Sequence, residues 1–244
     1  MKGIILSGGH GTRLRPLTNV TSKQLLPVYN KPMIFYPLET LLKAGIKEIL
    51  IIVAPDHCGD YMRVLGSGKD FGPGVKFTYE IQDKPEGIAQ AFLIAENFLD
   101  DGDNVTLILG DNIFEHDFTE DIKNFTSGGL VFAREVEDPE RFGVLEFSTD
   151  GTVVSVEEKP KEPKSNFAQV GIYVFDGRVV EAAKSVKPSA RGEVEITEVA
   201  NWYLQHNELI AKPIQGFWAD AGTLETLYKA IAWARDNTLR STST

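Results

Sequence analysis

The sequence has little cysteine, no excess of positive charge and no long apolar run, and each shortage excludes a class of protein. Cys58 is the only cysteine, so no intrachain disulfide can form, and no Cys and His spacing is typical of zinc. No run approaches the roughly 18 apolar residues of a membrane-spanning helix, and the first apolar run is too short for a signal peptide. Acidic residues outnumber basic ones by 35 to 25, which disfavours a general nucleic-acid or anionic-membrane binder. We expect a cytoplasmic protein that holds anions only through local groups.

The first half of the chain alternates strand-like apolar runs with segments of helical period. Strands are predicted at residues 2–6, 48–53, 75–81 and 105–109, and helices at 32–44 and 88–99. Strands of this kind, separated by helices, are typical of a parallel sheet covered on both faces. We therefore predict an α/β fold, Rossmann-like and doubly wound, with a mostly parallel mixed sheet.

The second half begins with several short β-rich pieces. Strands are predicted at residues 130–136, 142–147, 152–157, 170–175 and 209–214, and a helix at 195–205. Leu224, Leu227, Tyr228 and Ile231 share one face of a last amphipathic helix. We expect one domain over residues 1–240, made of a first part at about 1–128, an inserted β-rich part at about 129–222 and a closing helix at 223–238. Residues 241–244 are expected to be a tail.

A glycine-rich loop follows the first predicted strand and is typical of a phosphate-binding loop. It contains Gly8, Gly9, Gly11, Thr12 and Arg13. Glycines allow a close backbone approach, so that successive N–H groups can converge on phosphate oxygens, and the arginine adds a forked cation. A tight turn from strand to helix is the alternative interpretation.

The two best-known phosphate loops do not fit. A dinucleotide site needs G-x-G-x-x-G, but Leu14 stands at the last glycine position counted from Gly9. A Walker loop needs G-x-x-x-x-G-K-[ST], but Arg63 stands at its first glycine and Asp70 follows Lys69. NAD binding and a P-loop are both disfavoured.

Three charged residues are candidates for ligand binding, although each also has a simpler interpretation. Asp111 follows the apolar strand at 105–109, and Asp220 precedes the last helix. The pair suits Mg²⁺, which is held by one or two carboxylates together with substrate phosphates and water. Without further context, Asp111 can be interpreted as a turn residue and Asp220 as the start of a helix. Lys23 is either a phosphate ligand or a solvated surface residue.

Several segments match, in order along almost the whole chain, one known family. The matching segments are residues 8–14, 22–27, 109–112, 138–144, 157–160, 187–197 and 218–223. On these the chain resembles the sugar-nucleotide pyrophosphorylases, and among them the members that transfer a thymidylyl group to glucose 1-phosphate. The resemblance implies that dTTP and α-D-glucose 1-phosphate react to give dTDP-glucose and pyrophosphate. The sugar phosphate would attack the α-phosphorus in line, with Mg²⁺ as cofactor and without a general base. The resemblance also implies a homo-oligomer, dimer or tetramer.

The resemblance assigns roles to residues of this sequence. The catalytic residues would be Arg13, Lys23, Asp111, Lys159 and Asp220, with Asp111 and Asp220 also the metal ligands. The nucleotide would be bound by the first part of the chain, through Gly8, Gly9, Gly11, Thr12, Arg13, Lys23, Gln24, Gln82, Gly87 and Asp111. The sugar phosphate would be bound by the β-rich part and the residue after Asp111, through Asn112, Gly143, Glu158, Lys159 and Val170.

The chain also departs from the family. Phe142 stands where relatives often have tyrosine, and Val170 where close relatives often have threonine, so any hydroxyl contact there is expected to be absent. Glu193 and Glu195 either bind sugar hydroxyls or begin the helix at 195–205. The chain stops at Thr244 and so resembles the short form of the family, in which feedback control through further C-terminal helices is not expected.

Alternative functions remain open at this point. A uridylyl or other nucleotidyl transferase acting on a sugar 1-phosphate would use the same residue types. A non-catalytic regulatory subunit that binds a sugar nucleotide would have lost a carboxylate or a phosphate-binding cation. Arg13, Lys23, Asp111, Lys159 and Asp220 are all present, which favours an enzyme.

Overall fold

The computed structural model describes residues 1–241. The strands in this range are β1 (Lys2–Ser7), β2 (Pro27–Val28), β3 (Lys31–Pro32), β4 (Glu48–Val53), β5 (Lys76–Ile81), β6 (Val105–Leu109), β7 (Asn112–Phe114), β8 (Gly129–Glu135), β9 (Gly143–Phe147), β10 (Val153–Glu158), β11 (Phe167–Phe175), β12 (Leu209–Pro213) and β13 (Trp218–Asp220). The α-helices are α1 (Phe35–Lys43), α2 (Cys58–Leu65), α3 (Gln90–Ile94), α4 (Thr119–Lys123), α5 (Val179–Ser185), α6 (Ile196–Gln205) and α7 (Leu224–Ser241).

One nine-stranded sheet runs through the molecule. Strands β5, β4, β1 and β6 are neighbours in that order and run parallel. The β-rich part continues the same sheet, because β11 pairs antiparallel with β6 and with β8 and β9. The predicted α/β fold with a mixed sheet is confirmed.

The core lies on both faces of this sheet. Neighbouring residues of β1 point to opposite sides, and Ile4 and Ile5 are each fully buried in a different apolar cluster. Strands buried on both faces require continuous apolar runs, which is what the sequence of the central strands contains. A third cluster joins Leu14, after the glycine-rich loop, to Leu227 on α7. The closing helix therefore packs against the loop that opens the chain.

Some elements differ from their prediction. The helix predicted at 88–99 ends at Ile94, where the chain tightens into a 3-10 turn. Helix α2 was not predicted, because only Tyr61 and Leu65 of its eight residues are buried. Helix α7 extends to Ser241, beyond the predicted end at 238, and the remainder of the predicted tail, 242–244, lies outside the described residues. Within residues 1–241 no helix has both the length and the apolarity to cross a bilayer.

Gly87 provides a test of how the loop before α3 is fixed. Its φ is +109°, and a Cβ there would lie 2.3 Å from the Val194 carbonyl oxygen. We expect Gly87→Ala to lower the free energy of unfolding by about 2–4 kcal/mol, because it combines left-handed strain with a backbone clash. Gly45→Ala is the matched control, since Gly45 has φ +87° and open space around it. The control is expected to cost about 1 kcal/mol. Urea denaturation of both variants measures the difference, and equal losses would contradict the close approach.

Candidate active site

A cleft of about 580 Å³ opens where β1 and β6 end at the carboxyl edge of the sheet. Predicted site residues that line it are Arg13, Asp111, Asn112, Gly143, Glu158, Lys159 and Asp220. They come from both parts of the chain, because β11 carries the β-rich part alongside β6. The carboxyl ends of strands are where open α/β sheets bind ligands.

A two-stranded ribbon brings the two predicted metal carboxylates together. Strand β7 directly follows Asp111, and β13 pairs with it antiparallel, so that Asp220 lies opposite Asn112. The Ala221 N–H also donates to the Asp111 carbonyl at 2.9 Å. Residues more than a hundred positions apart are thereby fixed side by side. Neither ribbon strand was predicted, because each has only three residues.

The pKa values of the two carboxylates are shifted in opposite directions. Burial would by itself raise the pKa of Asp111, but the Lys23 ammonium, its ion-pair partner, holds that pKa below its usual value. Burial and the negative charge of Asp111 raise the pKa of Asp220, although the Gly222 N–H donates to its Oδ1 at 2.9 Å. Two close carboxylates that repel each other in a half-buried site are a suitable donor pair for a divalent cation.

This donor pair fits Mg²⁺ better than a metal held by protein alone. Within residues 1–241 no group of three or more His, Cys, Asp or Glu side chains converges on one point. Magnesium is typically bound by one or two carboxylates, with substrate phosphates and water completing its six ligands. Asp111 and Asp220 meet that requirement in an open cleft.

The glycine-rich loop is held in place by a buried side chain and a hydrogen bond, and its arginine, Arg13, has no ion-pair partner within the described residues. Leu14 is fully buried and anchors the loop's end, and the Thr18 hydroxyl donates to the Gly11 carbonyl at 2.9 Å. Thr12 and Gly9 are exposed. Arg13 has no ion-pair partner within the described part of the chain, and its guanidinium lies against Gly222, where a Cβ would be 2.9 Å from Nη2. The loop is therefore ordered while Arg13 faces the cleft.

The predicted base-binding residues lie beside this loop. Gly8 has no room for a side chain, because a Cβ would lie 1.9 Å from the Gln82 Oε1. Gln82 Nε2 donates to Gln90 at 2.7 Å, and Gln90 also accepts from the Glu86 N–H. The Gln82 carboxamide is thus held in one orientation by Gln90, and, like Gln24, Gln82 is 3% exposed and lies outside the cleft lining.

Gln24 is placed differently from its prediction as a nucleotide ligand. It is only 3% exposed, and its Oε1 accepts hydrogen bonds from Ser22 at 2.9 Å and from Tyr61 at 3.2 Å. In this arrangement Gln24 belongs to a buried polar network under Lys23, and it does not line the cleft.

The opposite wall of the cleft carries Glu158 and Lys159. Glu158 accepts from Arg191 at 3.0 Å and from Thr197 at 3.3 Å. Lys159 has φ +44°, a left-handed backbone that is costly for a side-chain residue and is concentrated at functional sites. Its N–H donates to the Phe142 carbonyl at 2.9 Å. The strand end is thereby held so that Lys159 enters the cleft.

Glu193 and Glu195 were expected either to bind sugar hydroxyls or to begin the helix at 195–205. The structure favours the second interpretation. Glu195 lies at the N-terminal boundary of α6 and is 5% exposed. Its Oε1 accepts from Ser189 at 2.6 Å and from Arg191 at 2.8 Å. Glu193 also pairs with Arg191, at 3.3 Å. These carboxylates hold Arg191 against Glu158 and lie outside the cleft lining.

Two predicted sugar-phosphate ligands have side chains committed elsewhere. Asn112 Oδ1 accepts from Trp218 at 2.8 Å and from the Gly171 N–H at 3.2 Å, and its Nδ2 donates to Asp111 at 3.1 Å. Asn112 therefore positions Asp111. Val170 is fully buried in the core on the far face of β11, since alternate residues of a strand face opposite sides. Any contact of Val170 with a ligand would have to come from its main chain.

Sequence reasoning gave no site role to several residues that line this cleft, among them Arg141, Gln169, Tyr173 and Trp218. Arg141 is ion-paired with Asp138, and Trp218 packs against Phe142 with ring centroids 5.6 Å apart. Burial raises the pKa of Tyr173, and the nearby Glu158 and Asp111 charges raise it further. Gln169 was detectable in principle, because it is a lone polar side chain in the apolar strand β11.

Comparisons with known proteins find relatives along almost the whole chain. The family model described as Nucleotidyl transferase matches residues 2–237. A glucose-1-phosphate thymidylyltransferase of Neisseria meningitidis (serogroup A) is 51% identical over 96% of this chain and 83% of its own length. One from Mycolicibacterium smegmatis is 48% identical over 98% of this chain and 84% of its own.

Solved structures agree as well. A Bacillus anthracis protein described as a glucose-1-phosphate thymidylyltransferase, crystallised with a sucrose, superposes with a TM-score of 0.90 at 48% identity, covering 97% of this chain and 96% of that one. A UDP-glucose pyrophosphorylase complexed with UDP-glucose shares the fold, with a TM-score of 0.83 at 24% identity, covering 97% and 98%. The resemblance found in the sequence is confirmed: the chain belongs to the nucleotidyl transferase family.

Proposed function

We propose that the protein transfers a thymidylyl group from dTTP to α-D-glucose 1-phosphate and releases dTDP-glucose and pyrophosphate. The observation that carries the proposal is the convergence of Arg13 and Lys159 with the Asp111 and Asp220 carboxylates around one cleft, with Lys23 ion-paired to Asp111. Two polyanionic reactants need this combination of cations and metal-binding groups. The thymidylyltransferases of Neisseria meningitidis and Mycolicibacterium smegmatis support the choice of reaction.

The chain's own groups account for the chemistry of the step. An oxygen of the sugar phosphate attacks the α-phosphorus of dTTP, the new phosphorus–oxygen bond forms, and pyrophosphate leaves from the opposite side. The attacking phosphate is already ionised at neutral pH, so no side chain has to remove a proton. Lys159 holds that phosphate in line, while Arg13 and the amides of the glycine-rich loop hold the triphosphate. Lys23, beside Asp111, stabilises charge that develops on the phosphates.

Asp111 and Asp220 would hold Mg²⁺ between the two reactants. When bound there, the ion neutralises charge on the phosphates that have to approach each other. Asn112 and Lys23 fix Asp111 for this role through their contacts with its two carboxylate oxygens, and the Gly222 N–H fixes Asp220.

Gln82 is proposed to recognise the base. A carboxamide offers a donor and an acceptor, which match the adjacent N–H and C=O of a pyrimidine. Thymine and uracil differ by one methyl group, which is worth only about 1–3 kcal/mol in an apolar pocket. We therefore expect a preference for dTTP together with some use of UTP.

Three broader features belong to the same proposal. Residues 1–128 bind the nucleotide, residues 129–222 bind the sugar phosphate, and the helix at 223–238 closes the domain. The chain works in the cytoplasm, where dTTP is available. It assembles as a homo-oligomer, for which α7 offers an apolar surface, with Tyr228 72% and Leu224 48% exposed. Light scattering after size-exclusion chromatography measures the assembly.

A substrate panel tests the reaction. Pyrophosphate release is measured with dTTP, UTP, CTP and GTP in turn against several sugar 1-phosphates, with magnesium and with excess chelator. We expect the highest kcat/KM with dTTP and glucose 1-phosphate, and loss of activity with chelator. If another triphosphate gave a higher kcat/KM than dTTP, the proposed reaction would be transfer of that nucleotide and not thymidylyl transfer. Tight binding of both ligands without pyrophosphate release would instead support a non-catalytic regulatory subunit.

A further inference from the structure

Gln169 is a buried polar side chain without a partner. It is 5% exposed, and within the described residues neither its Nε2 nor its Oε1 has a hydrogen-bond partner. Leaving buried donors and acceptors unpaired destabilises the folded state, so such a group in a native protein needs an explanation. A leucine or methionine would fill the same place in β11 without that cost.

The unpaired carboxamide faces the cleft of the active site. Gln169 lines the cleft together with Glu158, Lys159 and Tyr173. A Cβ on Gly143 would lie 3.1 Å from Gln169 Oε1 and 3.5 Å from Glu158 Oε2. The carboxamide and the Glu158 carboxylate therefore lie close to each other beside Gly143, where the Thr197 methyl group also packs, 2.6 Å from the same Cβ position.

The local backbone explains why Gln169 points this way. Pairing of β11 with β8 is interrupted after Gln169 and resumes at Tyr173. Val170, the next residue, is buried in the core on the opposite face. Gly171 is on the cleft side but has no side chain, and its N–H donates to Asn112 at 3.2 Å. In this stretch of β11, the polar side chain that faces the cleft is therefore that of Gln169.

We infer that Gln169 determines sugar specificity by hydrogen bonding to hydroxyl groups of the hexose ring, an inference that rests on the proposed function. A hydroxyl both donates and accepts, and so does a carboxamide. The neighbouring Glu158 carboxylate only accepts, so the two side chains together satisfy adjacent hydroxyls of one ring. Lys159, one residue further on, holds the phosphate at the other end of the same molecule. A site built to hydrogen-bond a hydroxyl rejects analogues that lack it, because its own polar groups are then left unpaired.

The test combines side-chain and substrate changes. Gln169→Leu and Gln169→Met remove the carboxamide but keep the side-chain volume. The kcat/KM of each variant is measured with glucose 1-phosphate and with its 2-, 3-, 4- and 6-deoxy analogues, at saturating dTTP and magnesium. We expect a loss of about 10- to 100-fold with glucose 1-phosphate and little change in the KM for dTTP. With the deoxy analogue that lacks the recognised hydroxyl, wild type and variants are expected to react at similar rates.

Two controls separate recognition from structure. Gln215→Leu changes an exposed glutamine outside the cleft and should leave all the rates unchanged. The melting temperature of Gln169→Leu or Gln169→Met should equal or exceed that of wild type, because an unpaired polar group has been removed. Equal losses with every analogue, or no loss with glucose 1-phosphate, would overturn the inference. Failure of the wild-type protein to release pyrophosphate from dTTP and glucose 1-phosphate would instead contradict the proposed function.

Discussion

Asp111→Asn and Asp220→Asn are each expected to lower turnover at least about a hundredfold. Asparagine keeps the size of the side chain but removes the charge that would hold Mg²⁺ between the two phosphates. In Asp111→Asn the Lys23 ammonium also loses its ion-pair partner. The measurement is kcat for pyrophosphate release at saturating dTTP and glucose 1-phosphate over a range of magnesium concentrations.

The matched control is Asp101→Asn, which makes the same change on an exposed turn outside the cleft. Its turnover should equal that of wild type. Circular dichroism of the three variants checks that each has folded. Wild-type turnover in either Asp111→Asn or Asp220→Asn would reject the assignment of that carboxylate to the metal.

Lys159→Met is expected to lower kcat/KM for glucose 1-phosphate by about a hundredfold or more. Methionine retains much of the aliphatic stem but cannot hold an anion. The KM for dTTP should change little, because the triphosphate is assigned to Arg13, Lys23 and the glycine-rich loop on the other wall. Initial rates with each substrate varied in turn separate the two constants.

The adjoining loop supplies the control for this prediction. Lys161 is exposed, two positions further along, and is not part of the cleft lining. Lys161→Met should therefore leave both constants unchanged. If Lys159→Met raised the KM for dTTP as strongly as that for glucose 1-phosphate, the separation of the two binding regions would be wrong.

The buried strands were the most predictable part of the fold. β4 and β6 agree with the predicted residues 48–53 and 105–109, because strands covered on both faces need continuous apolar runs. Helix α3 is shorter than predicted because the apolar residues at 95–99 belong to a 3-10 turn and the loop after it. The period of apolar residues shows which segments are buried, and it does not show where a helix tightens.

The candidate site was predictable as a set of charged residues and much less as a geometry. The glycine-rich loop, Asp111 and Asp220 stand out in the sequence, yet only the pairing of β13 with β7 explains how the two carboxylates meet. The direction of a side chain depends on register. Val170 was expected at the sugar and lies in the core, whereas its neighbour Gln169 faces the cleft. A slip of one residue along a strand exchanges its two faces.

The central claim is that the nucleotide and the sugar phosphate meet in this one cleft, held by cations from both walls. The most direct test is a crystal structure with Mg²⁺, glucose 1-phosphate and a dTTP analogue that cannot transfer its α-phosphate. We expect the α-phosphate beside Asp111, Asp220 and Arg13, and the sugar phosphate against Lys159. Either ligand bound in full occupancy away from these groups, with the cleft empty, would contradict the claim.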